Sequence, residues 1–194
     1  MIRIGKLEGE IRDVVNDRAS FGYELVADED AWNRLTSSLD LLGDTALGLL
    51  DFEERKFGQP ESGEAYLRFY GVVQALVLQQ EAIATIYSVL YRKNLDVDTK
   101  SSWEALRRFR NRAVGHPLDG RSYSLAGDLR TFVARAVMTP EEILTISFEE
   151  KTGAQRSERF NLSKHYDGYK TEAITVLQEI RAEQDRRRPD GDAV

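Results

Sequence analysis

The chain has 194 residues, a formal net charge of −6, 41% hydrophobic residues and no cysteine. That length is enough for one substantial core, and the missing thiols exclude disulfides and thiolate metal sites. The acidic balance argues against a protein that coats nucleic acid over its whole surface.

Ile4, Leu7, Ile11, Val14 and Val15 recur at helical spacing and predict an amphipathic helix over roughly 5–17. The stretch from Phe21 to Ala27 is ambiguous. Asp28 or Asp30 can cap a second helix, in which Trp32, Leu35, Leu39, Leu42, Ala46 and Leu49 step alternately by three and four. Such a seam calls for a long helical partner, within the chain or in a second copy. Gly58 and Pro60 should end it. From about Glu61 to Lys93 the chain is apolar almost all round, as expected of a helix central in a bundle. Gln74, Glu81 and Ser88 draw a thin polar line along it at steps of seven.

After a polar linker, Ser101 or Ser102 can cap a helix running through Gly115, with Trp103, Leu106, Phe109 and Ala113 toward the core. Pro117, Gly120 and Gly127 mark a loop. Phe132, Val133 and Val137, then alternating Leu144, Ile146 and Phe148, then Arg156 to Leu162, predict a small antiparallel meander. Ser163 can cap a last helix carrying Tyr166, Tyr169, Ala173, Leu177 and Ile180 on one face. The expected class is mainly α: an antiparallel helical bundle with a small β-meander before the C-terminal helix. One domain should cover about 1–188, with the bundle near 5–117, the meander near 130–162 and the last helix near 163–187. A flexible tail over 189–194 should follow. The opening MIRIGKLEGE lacks the apolar core of a signal peptide, and the longest apolar run, about 71–78, falls short of a membrane span. A soluble cytoplasmic protein without a membrane partner is expected.

The run Phe109-Arg110-Asn111-Arg112-Ala113-Val114-Gly115-His116-Pro117 holds one of the two histidines. Between Thr99 and Pro117, Lys100, Arg107, Arg108, Arg110 and Arg112 face only Glu104, whereas Asp28 to Glu54 carries eight acids against Arg34. The basic stretch is therefore either an anion-steering patch or a helix face that pairs with the acidic segment. Arg110 falls at the edge of the apolar stripe, four residues from both Leu106 and Val114. A guanidinium placed there needs a partner, such as Glu81 or a bound phosphate. In an unbroken helix Arg110 and His116 lie roughly 9 Å apart along the axis and about 120° around it. Arg112, four residues before His116, shares its face better, so spacing alone leaves both arginines open. Gly115 and Pro117 should unwind the helix near His116. Arg159 and His165 repeat the same separation, but Phe160 follows that arginine in a predicted strand. No spacing suggests a metal or cofactor site, and Gly120 to Gly127 lacks the lysine and glycine pattern of a phosphate loop.

The run resembles the signature of HEPN domains, all-helical bundles with an Arg-x(4–6)-His motif and often a polar residue after the arginine. The match is Arg110, Asn111 and His116, and the resemblance covers roughly residues 30–117. It implies a metal-independent endoribonuclease, usually a homodimer with two motifs facing one another, and in many members a toxin or antiviral effector with an antitoxin protein as partner. His116 would be the general acid/base, Arg110 would stabilise phosphorane charge and Asn111 would orient one of them. Arg107, Arg108 and Arg112 would steer RNA. The alternative is a non-catalytic module of the same type that binds RNA, nucleotide or a protein.

Overall fold

A computed structural model of the chain describes residues 1–19, 26, 28–59, 61–97, 99–115, 117, 129–149 and 151–186. Five helices are arranged around one core: α1 (Ile2–Ala19), α2 (Glu29–Arg55), α3 (Gly63–Tyr91), α4 (Ser101–Arg110) and α5 (Leu162–Arg186). A five-residue π turn, Asn111–Gly115, continues α4. Strands β1 (Leu129–Met138), β2 (Ile143–Glu149) and β3 (Gln155–Phe160) form an antiparallel sheet in that order. The class is mainly α, with 70% of the structure helical.

The seam of α2 packs within the chain, chiefly on α3, and its Leu35, Leu39, Leu42, Ala46 and Leu49 are buried. α3 also contacts α4 and α5, so it buries residues on several sides, from Phe69 and Val73 to Ile83 and Ile86. By length and composition it could cross a membrane, yet 56% of its most apolar window is buried inside the bundle, as in a core helix. α1 closes the bundle against α5 and α2. Each fully buried aromatic or leucine contributes about 1.5–3 kcal/mol relative to exposure, which gives Trp103 and Phe109 a large share in anchoring the short α4.

Several helix ends differ from the sequence expectation. Asp28 does cap α2, accepting from Ala31 N at 2.8 Å. Lys56, in the left-handed region at φ 55°, ends it before Gly58 and Pro60. Ser62 caps α3 through Ala65 N. Neither Ser101 nor Ser102 caps α4; both are already helical. Instead the Glu172 carboxylate of α5 accepts from Ser102 N at 3.4 Å and Trp103 N at 3.3 Å, a cap delivered across the core where sequence neighbours cannot reveal it. Ser163 lies inside α5 and bonds Glu141, while Asn161 Oδ1 takes Lys164 N at 2.7 Å. The third strand ends at Phe160, and Leu162 opens α5. The readings placed on Phe21 to Leu25 and on Ala27, on Gly120 and Gly127 and on the tail from 187 onward lie outside the described residues.

The side of the sheet that faces the core is mixed: Val133, Met138 and Ile143 are buried there together with polar residues. Thr131, Thr145 and Ser147 are buried, with Thr131 Oγ1 and Ser147 Oγ 2.8 Å apart. Phe132 and Phe148 stack on the outer side with centroids 5.9 Å apart. The sheet is tied to the end of α4: Phe160 of β3 stacks on Phe109 at 4.0 Å, and Thr131 N donates to Pro117 O at 2.7 Å.

Candidate functional site

The end of α4 is built by burial on one side and hydrogen bonding on the other. Trp103, Leu106, Phe109 and Ala113 enter the core as their spacing predicts. That rotation leaves Arg107 and Arg110 at the boundary with α3. Arg107 Nε donates to Gln80 Oε1 at 2.8 Å, and Arg110 Nε donates to Gln74 Oε1 at 2.9 Å. Arg110 Nη1 also donates to Asn111 Oδ1 at 2.9 Å. The partner on α3 is thus a neutral amide, and Glu81 is exposed elsewhere on the helix.

Among the described residues Arg110 has no carboxylate partner, and its full charge is balanced only by dipoles. Two oxygen acceptors fix the guanidinium plane and leave further donors for an anion, the arrangement suited to a phosphate oxygen. The π turn begins directly after Arg110. Its i→i+5 bonding widens the backbone, a local departure frequent at functional sites. The unwinding expected at Gly115 and Pro117 therefore starts earlier, at Asn111. Arg110 folds back over Gly115: a Cβ on that glycine would sit 3.1 Å from Arg110 Nη1. Pro117, on the other side of His116, is pinned to β1 through Thr131 N. His116 itself lies outside the described residues. The structure thus places Arg110 against the residue that precedes it and anchors the residue that follows.

The remaining basic residues do not form one open patch. Arg108 pairs with Glu104 of its own helix, and Arg112 Nη1 pairs with Glu158 of β3 at 2.7 Å. Arg112, the rival arginine, is thereby occupied by a carboxylate. Three acids of α2 have other partners: Asp40 takes Arg12, Asp51 takes Arg55 and Arg68, and Glu53 takes Lys170 and the Met1 ammonium. Among the described residues, the basic stretch and the acidic segment do not pair. Burial alone would raise the Glu53 carboxyl, but hydrogen bonds from the Met1 ammonium and Lys170 outweigh it and hold it below the usual range.

The second arginine–histidine pair is arranged differently. Arg159 ion-pairs with Glu142. His165 stacks on Phe160 with centroids 4.8 Å apart. Burial, then the charge of Lys164, lowers its imidazole from the ordinary value, against a smaller pull from Glu172. Among the described residues no group of three His, Asp or Glu stands ready to hold a metal ion. Comparisons with protein-family models, curated proteins and solved structures find no match.

Sequence reasoning did not single out Gln79 and Gln80, which are fully buried. Gln79 links Thr45 Oγ1 of α2 (3.2 Å) to the Tyr169 hydroxyl of α5 (2.8 Å). Gln80 supports Arg107. Two consecutive glutamines in an otherwise apolar helix are the only signal for them.

Proposed function

We propose that the chain is a HEPN-like metal-independent endoribonuclease, acting as a homodimer in the manner of a toxin or antiviral effector. The observation that carries this reading is the state of Arg110. It is held by Gln74 and Asn111, neutralised by no described carboxylate, and laid against Gly115, which precedes His116 in the sequence. In the proposed reaction His116 takes the proton of a ribose 2′-hydroxyl. The 2′-oxygen attacks phosphorus, the bond to the 5′-oxygen breaks, and the second motif of the dimer supplies the proton to that leaving oxygen. Arg110 donates to the non-bridging oxygens as charge builds on the phosphorane. Arg107 lies one turn back with a neutral partner of its own, in position to add to the positive field, whereas Arg108 and Arg112 contribute less because carboxylates screen them.

Purified protein incubated with single-stranded RNA in EDTA should cleave it, and His116→Ala should slow cleavage by about 10²–10⁴-fold. Cleavage by His116→Ala at the parent rate would remove the site assignment. One observation favours the alternative, a binding module without catalysis: the Arg110–Gln74 bond also ties α4 to α3, a structural task. On that reading Arg110→Ala lowers the melting temperature while the wild-type chain binds RNA and leaves it intact.

A further inference from the structure

Beside Arg110 the exposed side of α3 carries aromatic rings. Tyr66, Tyr70 and Gln74 follow at intervals of four residues, so each lies about 6 Å further along the helix on nearly the same side. The last of them holds Arg110. Tyr66 and Tyr70 have ring centroids 6.0 Å apart, and Tyr70 also leans on Phe69 at 5.2 Å. Tyr70 remains 41% exposed although it sits against core residues. From the sheet, Arg135 reaches across to Tyr66, its guanidinium carbon 5.7 Å from the ring centroid. The β1–β2 register shifts between Val133 and Met138, and Arg135 lies within that irregular stretch, where a strand re-aims its side chains.

We propose that Tyr66, Tyr70 and Arg135 form a track for single-stranded RNA that leads to Arg110, with a base stacked on Tyr70 and a phosphate held by Arg135. The inference rests on the reading of Arg110 as a phosphate-binding residue. A guanidinium over a ring makes a cation–π contact that uses none of its N–H donors as hydrogen bonds, which leaves them for a phosphate. Among the described residues Arg135, like Arg110 and Arg107, has no carboxylate partner. Among the described residues three guanidinia around one stretch of α3 thus lack a carboxylate partner. Cations on both sides of an exposed aromatic face match a single strand, whose bases are free to stack; in a duplex those faces are already covered.

The test is binding of a short labelled oligouridylate, measured by polarisation on the full chain carrying His116→Ala so that the ligand stays intact. Tyr70→Ala should weaken binding by about tenfold, within the range found for loss of one base–aromatic stack. Tyr70→Phe should bind like the parent. Arg135→Gln should weaken binding several-fold and lower the salt slope by about one. An abasic strand of equal charge should bind more weakly and take no notice of Tyr70→Ala. Unchanged binding in folded Tyr70→Ala and Arg135→Gln proteins overturns the track, as does a loss that follows dissociation of a dimer in sedimentation, which would make this face a contact between copies. If RNA is bound with Tyr70 dependence but the wild-type chain never cleaves it, the catalytic reading fails and the track stands. If cleavage depends on His116 while Tyr70→Ala leaves affinity unchanged, the reverse holds.

Discussion

Arg110 ends a helix anchored in the core on one side, with its guanidinium on two amide oxygens, whereas Arg159 lies on an exposed edge strand and is neutralised by Glu142. The two arginines stand at the same separation from their histidines. Their surroundings differ in the property that matters for phosphate chemistry, which is whether the cation is already balanced. Phe160 lies between the two regions, stacked on Phe109 on one side and His165 on the other. His165 is thereby built into packing, whereas Arg110 keeps donors that its two amide partners do not use. Spacing of arginine and histidine is a weak guide, and the partner of the arginine is the stronger one.

The largest expected effect is on RNA cleavage. His116→Ala should reduce it by about 10²–10⁴-fold, the usual worth of a general acid/base. Arg110→Ala should cost about 10²–10³-fold, as loss of a charge-stabilising donor does. Under the same assay Arg159→Ala and His165→Ala should stay within about twofold of the parent, since neither is placed at the reacting phosphate. Equal losses from the two pairs, followed by gel assay of matched folded proteins, would break the comparison.

A smaller effect should come from Gly115→Ala. The new methyl group meets Arg110 Nη1 at 3.1 Å, so the flexible guanidinium must move by a few tenths of an ångström. Activity should fall by roughly tenfold, because misplacing a positioned group is costly, while the melting temperature changes little. An unchanged turnover number would mean that Arg110 has no need of its present position. Phe160→Ala should act on stability instead. It removes a half-buried ring from the stack that joins the sheet to α4 and should cost about 2 kcal/mol in urea denaturation.

The smallest effect concerns pH. The folded His165 imidazole titrates below its ordinary value, so the unfolded chain binds more protons in the window between the two. Stability from this group is fully present above the unfolded value near 6.5 and declines as pH falls toward the folded one. His165→Phe keeps the stack and removes the titration, so its stability should fall less between pH 7 and 5 than that of the parent. Glu53 acts in the same direction at lower pH: its stabilising contribution is present above the ordinary carboxyl value and is lost as pH drops through its depressed one.

The bundle was legible because periodicity reports burial directly. The α2 seam, the apolar α3 and the buried side of α4 all follow from where Leu, Ile and Trp recur, and the seam found its partner within the chain. The ends were less legible. Asp28 was readable as a cap because its acceptor serves a neighbour three residues on, while Glu172 caps α4 from another helix and leaves no local mark. Arg110 and Asn111 stand out in the sequence and do touch, but the third member of that contact, Gln74, shows there only as one point of a thin polar line along α3. The direction in which a long arginine turns is set by tertiary packing, so spacing could not tell Arg110 from Arg112. Arg112 pairs with Glu158 of β3, whereas Arg110 bonds two amide oxygens. The reach of Arg135 to Tyr66 depends on an irregular strand and has no periodic signature.

The most direct measurement of the ribonuclease reading pairs one RNA with the DNA of the same sequence, incubated in EDTA with the wild-type chain, followed by analysis of the ends formed. A 2′-hydroxyl attack promoted by His116 and Arg110 leaves 2′,3′-cyclic phosphate and 5′-hydroxyl ends on the RNA and does not cut the DNA. Intact RNA, or RNA and DNA cut alike, would contradict the account.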